Sequence, residues 1–95
     1  MAEFLAELYV SRSDAEAVEH RSEQARRAAE GLTGEGTPVR YLRSIFVPGD
    51  ETCFYLYEAD RVEDVEEAGR RASLSFERIA EAAASRAVEE PEPCR

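Results

Sequence analysis

Glu7, Tyr9, Tyr41, Arg43, Cys53, Tyr55 and Tyr57 are the side chains of this sequence with the most chemistry to offer, and they recur at alternate positions. Most lie in Val39 to Ala59, VRYLRSIFVPGDETCFYLYEA, two β-patterned runs joined by the turn cluster Pro48-Gly49-Asp50-Glu51. That pattern predicts a hairpin. Alternate residues of an extended chain face opposite sides. One side then carries Leu42, Ser44, Phe46, Phe54 and Leu56, which is core material. The other carries Val39, Tyr41, Arg43, Ile45, Cys53, Tyr55 and Tyr57, a mixture that must bury against a partner or line a pocket. If Ala2 to Val10 forms a first strand in the same phase, Phe4, Ala6 and Leu8 join the apolar side. Glu7 and Tyr9 then join the tyrosines. Aromatic walls with a few convergent polar groups are the usual make-up of a small-molecule site, and tyrosine and arginine are also enriched at protein interfaces. In such a pocket the tyrosine hydroxyls and Arg43 would hold a phenolate or carboxylate, and Glu7 would act as a base if burial raises its pKa.

His20 is the lone histidine, in a row with Glu16 and Gln24 at helical spacing. An imidazole titrates near neutrality and so is a candidate base or ligand, although borderline metals prefer several nitrogen or sulfur donors. The acidic run Glu58, Asp60, Glu63, Asp64, Glu66 and Glu67 sits at the start of a helical segment, where the positive end of the helix dipole accounts for it. Cys53 and Cys94 lack metal-type or redox-type spacing and read as free thiols.

The elements that must position these groups follow from local patterns. Ser13-Asp14-Ala15-Glu16 has the form of a capping box, and Val18, Ser22, Ala25, Ala29 and Leu32 then step as a helical stripe of mostly small residues. Gly31, Gly34 and Gly36 are expected to stop that helix. A second helix starts at Asp60 with Glu63 and carries Val62, Val65, Gly69 and Ala72. Residues 77–88 are ambiguous between helix by alanine propensity and strand by alternation; a short fourth strand around Arg78 to Ala84 completes the sheet. Strand, helix, hairpin, helix, strand is the ferredoxin-like βαββαβ arrangement, α+β in class. A four-stranded antiparallel sheet would carry both helices on one face. Residues 1–86 form one domain, and 87–95, acidic and proline-containing, a disordered tail.

The chain has 21 acidic and 12 basic residues, a net charge of −9, and no lysine. That balance repels phosphate backbones and anionic lipid, so nucleic acid and membrane are poor partners. No apolar run approaches the roughly 18–20 residues of a membrane span, and the first residues lack signal-peptide character. The chain reads as cytoplasmic, and its composition as that of a high-GC bacterial protein. A domain of this size buries a modest share of its surface, which favours a homodimer formed through the tyrosine-bearing face.

Tyr41-Leu42-Arg43-Ser44, Tyr55-Leu56-Tyr57-Glu58-Ala59 and Leu74 to Ile79 resemble landmarks of a family of small bacterial domains of the nickel-binding type. The resemblance covers Ala2 to Ala83. It implies a ferredoxin-like fold paired through its sheets into a dimeric α+β barrel. It also implies nickel as a ligand, with His20 matching a family histidine. Where the family places two histidines four apart in the second helix, this chain has Ala68 and Ala72; where it tends to place a cysteine, this chain has Tyr55, with Cys53 two residues earlier. Two functions are therefore expected in competition. The first is binding of a small aromatic or polyketide-like molecule in a Tyr/Arg-lined cavity without a cofactor, with isomerisation or cyclisation as the chemistry it would support. The alternative is nickel binding, with a reduced or altered site.

Overall fold

The computed structural model describes residues 1–83. Strand β1 (Ala2–Tyr9) leads through a short 3-10 turn (Arg12–Asp14) into helix α1 (Ala17–Gly34). Strands β2 (Val39–Val47) and β3 (Thr52–Ala59) form the hairpin, closed by a second 3-10 turn (Pro48–Asp50). Helix α2 (Val62–Arg71) and strand β4 (Arg78–Ala82) complete the βαββαβ order. The antiparallel sheet runs β2-β3-β1-β4, the ferredoxin-like arrangement. The fourth strand forms where alternation placed it, although it ends at Ala82; the tail at 87–95 and Cys94 lie outside the described residues. No helix among the described residues is long and apolar enough to cross a membrane.

Helix starts depart from the expected caps. Ser11, not Ser13, is the capping residue: its hydroxyl accepts from the Ser13 amide and ends up capping the 3-10 turn, while Ser13 bonds back to Ser11. Helix α1 begins after Glu16 with no side-chain cap, and α2 begins after Arg61 likewise. Arg61 instead pairs with the buried Asp64 at 3.1 Å. Gly31 and Gly34 sit inside α1, and the turn out of it is made at Gly36, whose φ of 104° is left-handed. Thr33 then locks the chain to β2: its hydroxyl donates to the Val39 carbonyl and accepts from the Val39 amide.

The decisive irregularity is in β2. Tyr41 pairs with Tyr57 and Arg43 with Leu56, so Leu42 is an extra residue in a β-bulge. A bulge flips the side-chain phase of everything beyond it. Tyr41 therefore shares a face with Ser44 and Phe46, while Arg43 and Ile45 turn to the opposite side, and the unbroken alternation read from the sequence does not hold.

The second correction concerns which face is covered. Cys53, Tyr55, Tyr57 and Ala59 of β3, with Phe4 and Ala6 of β1 and Val39 of β2, form the core beneath the helices. Phe4, Ala6 and Leu8 register against Tyr57, Tyr55 and Cys53, on the tyrosine side of the sheet. Phe54 and Leu56, expected in the core, face the open side with Leu5 and Ile45. Volume explains the inversion. The helices present Ala25, Ala29, Ala68, Gly69 and Ala72 to the sheet, all buried. Interiors pack to near-crystalline density, so these small side chains leave depth for large ones opposite, and Tyr55, Tyr57 and Phe4 fill it.

Candidate functional site

The sheet divides the expected constellation in two. Glu7, Tyr9 and Arg43 lie on the open face; Tyr41, Cys53, Tyr55 and Tyr57 lie on the helix-covered face. His20 is exposed on α1. Glu7 spends its carboxylate on Arg78 across the strand pair, at 2.7 Å, and Tyr9 is 55% exposed. Neither can reach a group held between sheet and helices, because the sheet backbone intervenes.

The helix-covered side is the more unusual. Cys53, Tyr55 and Tyr57 are each 0% exposed. The Tyr55 and Tyr57 hydroxyls are buried and find no hydrogen-bond partner among the described residues. The Cys53 thiol is a polar neighbour of the Tyr55 hydroxyl, without the geometry of a hydrogen bond. Leaving a buried hydroxyl unpaired costs about 1–3 kcal/mol, and such groups are few in native structures. Two of them lie on the covered face of one strand here, with the Phe76 ring resting against both. Burial pushes both hydroxyls well above the ordinary tyrosine value; neighbouring Cys53 adds to the effect at Tyr55, and Tyr41 adds to it at Tyr57. Burial likewise raises the Cys53 thiol, with the Tyr55 hydroxyl and the Arg21 charge pulling the other way. At neutral pH the site therefore offers protonated donors and an unionised thiol.

Arg21 is the residue that sequence reasoning passed over. It stands on the flank of α1 that carries Val18 and Ala25, near enough for its charge to lower the pKa of Cys53 and Tyr55. It forms no ion pair with any acid among the described residues, although arginine–acid pairs are abundant elsewhere on the surface. Its spacing was the available signal: three after Val18 and four before Ala25 puts it on the stripe's edge. Arg43, the cation expected at the site, points to the other side because of the bulge.

A second polar group borders the tyrosines. Ser22 of α1 donates to Ser44 of β2 at 2.8 Å, and Ser44 also bonds the Tyr41 hydroxyl. The aromatic rings run from Tyr41 edge-on to Tyr57 (5.8 Å), from Tyr57 to Phe76 (6.0 Å) and from Phe76 to Tyr55 (5.3 Å). Two clefts flank this layer. The larger, about 480 Å³, opens between the end of α2 and β4 and is lined by Glu66, Arg70, Ser73, Leu74, Ser75, Phe76 and Ile79. The smaller, about 320 Å³, opens between α1 and β2 and reaches Tyr41.

Among the described residues no three His, Cys, Asp or Glu side chains converge as a metal would require. Ala68 and Ala72 are buried on the sheet-facing side of α2, at the positions where the resemblance implied imidazoles. The open face has a different character: an apolar strip of Leu5, Ile45, Phe54 and Leu56 lies between the ion pairs Arg40–Glu58 (2.9 Å) and Arg78–Glu7 (2.7 Å).

No protein-family model matches the chain, and no curated protein matches it. Among solved structures it is similar to the crystal structure of SCO4226 from Streptomyces coelicolor A3(2), with 24% identity, a TM-score of 0.65, and coverage of 90% of this chain and 100% of that one. That likeness establishes the ferredoxin-like α+β fold.

Proposed function

We propose that this protein binds a small, planar, oxygen-bearing aromatic or polyketide-like molecule in the tyrosine layer between its sheet and its helices. The observation that carries the reading is the Tyr55 and Tyr57 hydroxyls, both fully buried on one face of β3 and without partners among the described residues. Ligand oxygens accepting from these hydroxyls would supply what the fold leaves missing. The Arg21 charge favours an oxygen with anionic character, such as a phenolate or an enolised ketone. Because the hydroxyls are donors rather than bases, any chemistry here is polarisation of a carbonyl by neutral donors in a dry site, the contribution that a cofactor-independent isomerisation or cyclisation needs.

The open face supports a homodimer. Its apolar strip between oppositely charged pairs has the core-and-rim make-up of an interface, and a two-fold contact would set each balanced rim against its own copy. This moves the pairing surface from the tyrosine side to the side of Leu5, Ile45, Phe54 and Leu56. Sedimentation equilibrium should show a dimer that Phe54→Arg converts to monomer. A wild-type monomer at tens of micromolar would end that part of the reading.

The ligand reading is tested by calorimetric titration with 2-naphthol and 1-acetyl-2-naphthol. Tyr55→Phe and Tyr57→Phe should each weaken binding about tenfold, the loss of one hydrogen bond of about 1.4 kcal/mol. Variants that bind both compounds like wild type would place the site elsewhere. Titration with Ni²⁺ in parallel distinguishes the function implied by family resemblance: tight, stoichiometric binding lost in His20→Ala would overturn the ranking.

A further inference from the structure

Phe76 belongs to three features at once. Its ring rests against both Tyr55 and Tyr57. The same side chain lines the larger cleft. It is also seated on Gly69 of α2, where a Cβ would fall 2.5 and 2.7 Å from two of its ring carbons. Any side chain at position 69 would push the ring away, so the glycine is what lets Phe76 close over the tyrosines.

The segment that carries Phe76 is irregular. Ser73 holds a left-handed φ of 62°, a conformation that residues with a Cβ adopt at a cost. The Leu74 amide is tied to the Gly69 carbonyl at 2.8 Å and the Glu77 amide to the Glu7 carbonyl at 2.8 Å. Between those two anchors Ser75 and Phe76 belong to neither helix nor strand. The ring is half-buried, and no neighbouring turn of regular structure has to open for it to swing out.

From this juxtaposition we infer that Phe76 is the gate of the tyrosine site, and that ligands enter through the α2–β4 cleft rather than through the α1–β2 cleft. The inference rests on the binding reading above and adds a route and a size class to it. The cleft of about 480 Å³ is at the small end of ligand sites and suits a molecule of two fused rings. Ser73 and Ser75 at its mouth, with Glu66 beside them, offer hydroxyl and carboxylate partners to hydroxyls on the outer ring. The preferred class is thus a bicyclic hydroxylated aryl ketone or phenol, with an inner oxygen accepting from Tyr55 or Tyr57. Phe76 acts here by controlling access.

Access is measured without a ligand by nitration of individual tyrosines with tetranitromethane, mapped by mass spectrometry. Phe76→Ala, with Phe76→Leu as the milder variant should the first lose its fold, is expected to speed nitration of Tyr55 and Tyr57 about tenfold or more, while Tyr9 is unchanged, as local opening predicts. On the wild-type background, Ser75→Trp at the mouth of the larger cleft should slow nitration of both buried tyrosines. Glu30→Trp at the mouth of the smaller cleft should leave it unchanged. Equal nitration in wild type and folded Phe76 variants, or slowing by Glu30→Trp and not by Ser75→Trp, overturns the gate. Stopped-flow binding of 2-naphthol then separates the two ideas. Nitration that follows the gate with no naphthol binding by any variant refutes the ligand class and leaves the route standing. Naphthol binding with on-rates indifferent to Phe76 refutes the route and leaves the site.

Discussion

The two faces of one four-stranded sheet share alternation, length and hydrogen bonding, yet they do opposite jobs. The covered face carries three polar-tipped aromatics, Tyr41, Tyr55 and Tyr57, and a thiol; the open face carries the plain hydrocarbon of Leu5, Ile45, Phe54 and Leu56. Polarity alone would assign them the other way round. The difference teaches that burial in a small α+β domain is decided by fit to the helices; the polar groups left inside are the basis of the proposed site, and the apolar groups left outside that of the proposed contact.

The comparison breaks most sharply under truncation. Tyr57→Ala removes a ring packed against Tyr41 and Phe76 and should cost about 3–5 kcal/mol, whereas Phe54→Ala, at a partly exposed position, should cost the single chain about 1 kcal/mol. Urea denaturation at high dilution, where any dimer is dissociated, checks both. Equal losses would mean that the two faces are equally buried in one chain.

Alkaline titration reads the same asymmetry. Tyr55 and Tyr57 have folded pKa values raised above the ordinary 10.0, so the native state holds its phenolic protons longer than the unfolded chain does. Their contribution is fully present below about pH 10 and is lost as pH rises beyond it. Stability measured from pH 8 upward should fall above pH 10, and the Tyr55→Phe/Tyr57→Phe double variant should flatten that fall. An unchanged slope would show the hydroxyls to be solvated.

Gly69→Ala sets improved helix propensity, about 1 kcal/mol, against overpacking onto Phe76. Overpacking costs about 1–3 kcal/mol, so a net loss of about 1 kcal/mol is expected by thermal melting. A gain would mean that the ring moves aside freely. Tyr57→Phe keeps the ring and deletes the unpartnered hydroxyl, and should stabilise by about 1 kcal/mol. Ser73→Gly relieves the left-handed residue that closes α2 and should add about 0.5–1 kcal/mol. Each is read as a shift in melting temperature, and Tyr57→Phe is expected to gain that stability at the expense of ligand affinity.

Much of the architecture was legible before any coordinates. The stripe Val18, Ser22, Ala25, Ala29, Leu32 does face the sheet, and Cys53, Tyr55 and Tyr57 do share one side. What failed was the phase of β1 against the hairpin, which no local pattern fixes, and that of β2, where Leu42 is an ordinary apolar residue with nothing in its type to announce a bulge. Arg21 was missed because a lone arginine on a helix edge looks like any solvated one until the sheet residue opposite it is known.

By itself the sequence determined the order of elements and the ferredoxin-like class, because helix and strand periodicities, turn residues and small-residue stripes act over a few positions and survive being read locally. Only the tertiary structure decided which side of the sheet the helices cover, that Glu7 and Arg43 stand apart from the tyrosines, and that Phe76 closes over them. Those outcomes depend on matching volumes between segments distant in sequence and on one inserted residue that inverts a strand, and neither quantity belongs to any short stretch of chain.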